Sequence, residues 1–353
     1  MNIDKSKPVL VTGGSGYIAS WLVKYLLEAG HSVRATVRDP SNEKKVGHLK
    51  RIAEKSPGTL TLFQADLMQP GSFNGPMKGC EVVFHTASPF VFIGIKDPQK
   101  QLIDPAVEGT RNVLEAANRN DSVRRVVLTS SVAAIHGDNA DAALAENGVL
   151  TEKHWNTTSS ISHQPYNYSK VAAEKVAWEI AEKQNRWDLV VINPAFVLGP
   201  SLTQGSDSTS LSTMLQYTDG TFKFGAPALS YGVVDVRDVA QAHIKAAFTL
   251  TAKGRHIVYS EIMSFVDMGR VLRKRFGNQY PFPRGKAPKW LVWLIAPMNG
   301  LTRKFVARNV GHELKLDNSY AGQDLGMEFR PAEQTLVEHF QQMIDDGIIP
   351  DKR

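Results

Sequence analysis

Tyr166 and Lys170 stand four residues apart at the start of a long Ala-rich stretch, so a helix there puts both side chains on one face. A phenol is a poor acid at neutral pH, with a reference pKa of about 10. A neighbouring ammonium stabilises the phenolate and is expected to lower that value, which would make Tyr166 a usable general acid or base. Of nine tyrosines, only Tyr166 has a lysine four residues on. The pattern Y-x-x-x-K is short, and an exposed helix pair would produce it too. Ser130 and Ser131 follow the apolar run Val126–Thr129, where a hydroxyl could hydrogen-bond a substrate carbonyl oxygen. A serine that merely caps the strand end gives the same pattern. No Ser-His-Asp order or G-x-S-x-G elbow accompanies them. His85, His136 and His163 fall near the same region without H-x-x-x-H or H-E-x-x-H spacing, so they read as structural or pocket-lining and no metal is expected.

These side chains need a frame, and the N-terminus supplies its first unit. Val9–Val11 is a short apolar run, Thr12 ends it, and Gly13, Gly14 and Gly16 follow. Helical spacing then begins at Tyr17, runs through Ala19–Ala29 and stops at Gly30. A strand, a glycine turn and a helix form the cradle for a dinucleotide pyrophosphate: Gly13 and Gly16 allow close approach, and the amides at Tyr17 and Ile18 face the phosphates. The spacing Gly13-x-x-Gly16-x-x-Ala19 departs from G-x-G-x-x-G, with a small residue in the last place.

Strand patterns continue at Ser32–Val37, Leu60–Phe63, Glu81–His85, Val126–Thr129, Leu189–Ile192 and His256–Tyr259. Helical patterns alternate with them, including 105–118, 166–184 and the second half of 232–250. This grammar predicts an α/β fold: a Rossmann-like, doubly wound parallel sheet with helices on both faces. The polar stretch 201–210 reads as a loop, and the chain from Phe265 onward as mostly helical. The expected division is a dinucleotide-binding domain at 1–200 and 232–262 and a smaller, mostly helical substrate-binding domain at 201–231 and 263–353. A ligand would lie between them at the carboxyl ends of the strands.

The end of the second strand bears on the cofactor. NAD proteins place an acid there for the ribose 2′-OH. Here Val37 is followed by Arg38, with Lys44 and Lys45 close behind. Arginine's planar fork suits a 2′-phosphate, so NADP(H) is expected ahead of NAD. Asp66, after the third strand, is a plausible acceptor for the adenine amino group, with Leu67 beside it. Thr86, Ala87 and Ser88, at the end of the fourth strand, complete that wall.

The net charge is +6, without a block of five or more cations, so nucleic acid is not the expected partner. Cys80 is the only cysteine, which excludes internal disulfides and fits a reducing compartment. No apolar run reaches eighteen residues and no signal core opens the chain. A cytoplasmic protein without stable membrane insertion is expected, as monomer or homodimer. The most apolar stretch, Lys289–Met298, is too short to span a bilayer and reads as a buried helix; a lid over the substrate or a membrane-surface contact are the other readings.

The combination Thr12-Gly13-x-x-Gly16, Asp66-Leu67, Thr129-Ser130-Ser131, Tyr166-x-x-x-Lys170 and Asn193-Pro194 to Gly199-Pro200 resembles the extended short-chain dehydrogenase/reductases. The segments SWLVKYLLEAGHSVRATVRDPSNEKKVGHL, RRVVLTSS and YNYSK are similar to plant dihydroflavonol 4-reductases and cinnamoyl-CoA reductases. The likeness is strong over residues 8–200 and thinner beyond. It implies a catalytic triad of Ser131, Tyr166 and Lys170, 2′-phosphate contacts from Arg38 and Lys45, and further cofactor contacts reaching Pro194. It places Phe90, Ser131, His136 and Tyr166 about the substrate. Two departures fall in the substrate half: His136 stands where that family has a flavonoid-contacting Asn, and 288–311 is extra. The expected reaction is NADPH-dependent reduction of an aldehyde or ketone, dihydroflavonol-like or another hydrophobic carbonyl compound. An NAD-dependent NDP-sugar epimerase or dehydratase, a hydroxysteroid-type dehydrogenase and a redox-sensing binding module are the rival readings.

Overall fold

The central apolar runs, Val9–Thr12, Val82–His85 and Arg125–Thr129, are buried on both faces, as a parallel sheet covered by helices requires, while the edge run Thr59–Gln64 is not. In the computed structural model, which describes residues 3–88, 95–203 and 209–352, the chain alternates strand and helix for its first two hundred residues. In order come β1 (Val9–Thr12), α1 (Tyr17–Glu28), β2 (Ser32–Val37), α2 (Glu43–Glu54), β3 (Thr59–Gln64), α3 (Asn74–Met77) and β4 (Val82–His85). Then follow α4 (Asp104–Arg119), β5 (Arg125–Thr129), α5 (Pro165–Ala181), β6 (Asp188–Pro194) and β7 (Phe196–Leu198). The last third holds α6 (Thr209–Leu215), β8 (Ser230–Asp235), α7 (Val236–Phe248), β9 (Gly254–Val258), β10 (Glu261–Ser264) and α8 (Phe265–Phe276). It ends with α9 (Lys289–Ile295), α10 (Arg303–Asn309), α11 (Ser319–Leu325) and α12 (Ala332–Asp345).

Seven strands form one parallel sheet in the order β3-β2-β1-β4-β5-β6-β9. Helices α1, α7 and α11 cover one face and α3, α4 and α5 the other. The strand order turns about β1 and β4, which puts a crevice above their carboxyl ends. A separate three-stranded sheet, β10-β8-β7, packs with α6, α8 and α12 around a second core. Strands β7 and β10, each only three or four residues long, were not expected from the sequence pattern. Strand β8 has the same strand-then-helix grammar as the main sheet but pairs with β7 and β10 instead.

The opposite edge of the sheet is fastened by Arg125, which is 1% exposed. Its Nε and Nη2 each lie 2.8 Å from an Asp188 carboxylate oxygen, and Nη1 donates to the carbonyls of Ala246 and Thr249 at the end of α7. A cation on the last carbonyls of a helix also complements its dipole.

Two expectations fail in this part of the chain. Lys289–Met298 is helical but not buried: Trp290 is 68% exposed and Met298 87%, while Val292 and Ala296 alone turn inward. Its inner side meets Val306 and Val310 in a small cluster, and no other described element covers the rest. Within the expected loop 201–210, Thr209 already begins α6; residues 204–208 lie outside the described ones.

Candidate active site

The glycine turn is built around contacts that leave no room for side chains. Gly13 has φ +65°, and a Cβ there would stand 3.0 Å from the Ala87 Cα. A Cβ on Gly14 would stand 2.7 Å from the Ala35 Cβ. Gly14 and Gly16 donate backbone hydrogen bonds to Thr36 and Gly13, which holds the turn shut. Gly16 is the N-cap of α1 and no side chain caps this terminus. The first-turn amides, Tyr17 and Ile18 included, are therefore open to an anionic group. The Tyr17 hydroxyl is spoken for, donating to the Gly199 carbonyl at 2.5 Å. Thr12, absent from the expected site, ties the turn to the end of β4: its Oγ1 accepts from the Ala87 amide and lies 3.0 Å from His85 Nδ1. Thr86 Oγ1 in turn donates to the Thr12 carbonyl.

On the other side of the crevice, α5 carries Tyr166 and Lys170. Lys170 Nζ donates to Ser88 Oγ at 3.0 Å and sits 5.6 Å from the centre of the Tyr166 ring. Leu67, Ala87, Ser88, Thr129, Ser130 and Lys170 line one small pocket. It joins the end of β4, the end of β5 and α5. Burial pushes the Lys170 ammonium down to about 8, opposed by the Glu174 carboxylate one turn along. Burial pushes the Tyr166 phenol up to about 12. The expected depression of the Tyr166 pKa is thus absent from the chain by itself: burial, which disfavours the phenolate, is the cause that sets it. His85 is held at about 3 by burial, with a further push from Lys170, and is neutral at physiological pH.

The two serines part company. Ser130 Oγ donates to Glu174 Oε2 at 2.5 Å, in the core. Ser131 is half-buried; its Oγ accepts from the Ala133 amide at 3.1 Å and lies 3.5 Å from the carbonyl of Pro194. Asn193 Nδ2 donates both to the Ser131 carbonyl and to Glu174. Arg255 Nε pairs with Glu174 at 2.5 Å and its guanidinium lies over Trp155. Glu174 therefore fastens the Ser130–Ser131 backbone to α5, one turn beyond Lys170. Its place four residues after Lys170 was a readable signal; the Arg255 partner, 81 residues on, was not.

The remaining expected residues are scattered in state. Arg38 and Lys45 are exposed at the end of β2 and in the first turn of α2, and neither side chain has a hydrogen-bond partner among the described residues. Asp66 is exposed, and one carboxylate oxygen already accepts from the Met68 amide at 2.8 Å. His136 is 8% exposed, and neither ring nitrogen makes a hydrogen bond of good geometry among the described residues; burial lowers its pKa against the opposing pull of Asp141 and Asp138. Phe90 lies outside the described residues.

A further cluster was missed altogether. Asp138 is fully buried and accepts from His163, Gln164, Asn309 and Arg308. Asp141 takes the other arm of Arg308 at 2.7 Å. The segment read as extra is thereby anchored to the loop after Ser131 and to the residues just ahead of Tyr166. Gln164, the N-cap of α5, is held in the left-handed region at φ 56°.

The glycine cradle, the uncapped helix and the strand order define a dinucleotide-binding α/β protein. Residues 9–259 match the NAD dependent epimerase/dehydratase family, and the chain belongs to it, as one of the extended short-chain dehydrogenase/reductases. Reductases are among its relatives. A cinnamoyl-CoA reductase, CAD2 of Medicago truncatula, is 43% identical over 76% of this chain and 80% of its own length. An anthocyanidin reductase of Vitis vinifera is 40% identical over 78% of this chain and 83% of its own. The crystal structure of Gre2 from Candida albicans in complex with NADPH superposes with a TM-score of 0.78 at 29% identity, covering 96% of this chain and 99% of that one.

Proposed function

We propose that the protein reduces an aldehyde or ketone to the alcohol through Ser131, Tyr166 and Lys170. The chain is an NADP(H)-dependent oxidoreductase. The Gly13–Gly16 turn and the open amides of α1 would hold the pyrophosphate, and Arg38 and Lys45 the 2′-phosphate. Asp66 and Leu67 would border the adenine; Thr86, Ala87, Ser88 and Pro194 would border the rest of the cofactor. NADPH bound there supplies the hydride. Tyr166 would give its phenolic proton to the carbonyl oxygen as negative charge develops on it, while Ser131 Oγ donates a second hydrogen bond. Lys170 keeps a positive charge beside the phenol as the proton leaves, and its reach to Ser88 sets it against the cofactor wall.

One observation supports this reading most: Lys170 touches Ser88 on one side and the Tyr166 ring on the other, so a single cation links the cofactor wall to the proton donor. We assign the substrate half to 201–231 and 263–353, and His136 to the substrate. Its two ring nitrogens, buried and without a partner among the described residues, would suit a polar group of the substrate. The substrate class is a hydrophobic carbonyl compound, dihydroflavonol-like among others. The test is NADPH consumption across aldehydes, ketones and dihydroflavonols. Tyr166→Phe should lose about a hundred-fold or more in kcat with NADPH binding kept. Wild-type turnover in that variant would end the assignment.

A further inference from the structure

Between Met268 and His312 the sequence holds ten lysines and arginines and not one aspartate or glutamate. Those ten exceed the +6 of the whole chain, so everything outside the segment is net −4. Several of the ten are occupied. Arg270 pairs with Asp267, Lys274 with Glu333, and Arg308 with Asp138 and Asp141. Arg284, Lys286, Lys289, Arg303 and Lys304 are exposed and have no carboxylate partner among the described residues.

The same segment carries the largest share of exposed apolar side chains among the described residues. Of the twelve exposed large hydrophobic residues among them, seven lie between Trp290 and Leu301. Two are tryptophans, and Arg303 stacks on Trp293 at 4.3 Å. An eighth, Phe224, sits beside them in space, because Ala226 bridges Lys286 and a side chain on Gly225 would meet Ala287. Clustered exposed apolar side chains rimmed by charge mark a contact surface.

We propose that this face, α9 and the turn after it with the cations around them, seats reversibly on an anionic lipid surface. Tryptophan belongs at the boundary between headgroups and acyl chains, and unpaired lysine and arginine beside it attract anionic headgroups. Helix α9 is seven residues long and cannot cross a bilayer, so it lies in the plane of the surface. A second copy of the chain is the poorer occupant. A twofold contact on this face would set five unpaired cations against their own images. The Arg308 and Asn309 bonds to Asp138 hold the face rigidly on the body of the protein.

The full-length protein should be mixed with vesicles of phosphatidylcholine, with and without phosphatidylserine, and sedimented. Binding is expected only to vesicles with phosphatidylserine, with a blue shift of tryptophan emission and release by high salt. The variant K286Q/K289Q/R303Q/K304Q should bind about ten-fold or more weakly. Trp290→Ala with Trp293→Ala should lose both binding and the blue shift, with circular dichroism confirming an intact fold. The proposal is overturned by no binding, by equal binding to both vesicle types, or by binding that leaves the emission unchanged. It is overturned equally by a dimer that Trp290→Glu dissolves, or by capture on polyglutamate without binding to vesicles.

Discussion

Arg308 Nε lies 2.6 Å from Asp138 Oδ2, a contact that spans 170 residues of chain. It joins helix α10, in the segment read from the sequence as extra, to a loop lying between Ser131 and Tyr166. Whatever moves α10 moves the approach to the site.

Removing this contact should be costly, and the cost should depend on pH. Burial on its own pushes the Asp138 carboxyl up, but donors from His163, Asn309 and Arg308 outweigh it and hold it below its usual range. A carboxylate with a lowered folded pKa contributes its full stability above the unfolded value, about 4, and loses it as pH falls through the folded one. Arg308→Ala should therefore destabilise the protein by about 1–2 kcal/mol at neutral pH, since Arg308 is partly solvated and three donors remain. The gap to wild type should close in acid. Urea unfolding at neutral and acid pH measures both.

Lys170 gives a pH limb that can be assigned. At about 8 it loses its proton within the working range, whereas Tyr166 at about 12 stays protonated. Reduction should thus slow as pH rises through about 8. Lys170→Arg, which stays charged, should push that limb upward; Lys170→Met should abolish it along with most of the rate. A limb that stays in place in the arginine variant would remove Lys170 from this role.

The Arg38 side chain is exposed and has no partner among the described residues, so its substitution should cost the fold little. Arg38→Ala should raise the KM for NADPH by about ten-fold or more while leaving NADH nearly unchanged. An equal loss for both cofactors would show that Arg38 does not meet the 2′-phosphate.

Gly14→Ala places one methyl 2.7 Å from another on Ala35. Overpacking of this kind should cost about 1–3 kcal/mol. It should also weaken cofactor binding, read by fluorescence titration with NADPH.

Glu174 acts through others. Glu174→Ala leaves Arg255 buried without its carboxylate and should cost about 3–5 kcal/mol. Glu174→Gln keeps hydrogen-bonding oxygen and nitrogen, so it should fold. With no carboxylate to raise the Lys170 pKa, its alkaline limb should shift to lower pH.

Local pattern carried the frame and brought Tyr166 and Lys170, the proposed proton-transfer pair, together on α5. Val9–Thr12 with its glycines, the alternating strands and Tyr166 with Lys170 are short-range signals, and each forms its element from its own neighbours. The rest depended on long-range partners. Ser130 and Ser131 are identical in local context; only Glu174 separates them. The buried Asp138 gave no signal, since its partners Arg308 and Asn309 are remote. Lys289–Met298 reads as core because apolar composition records affinity for a non-aqueous neighbour without saying whether the chain provides one. Strand β8 looked like part of the main sheet because period and length say nothing about which edge a strand joins.

The Arg125 clamp gives the molecule a gradient of stiffness. Its guanidinium gathers the amino ends of β5 and β6 and the tail of α7 into one joint, far from the carboxyl ends where the pocket opens. The hinge-free end fixes the pitch of the strands, so the loops at the other end can change length and composition without retuning the frame. Such a joint lets the loops around the pocket vary while Tyr166, the proposed proton donor, keeps its place on α5.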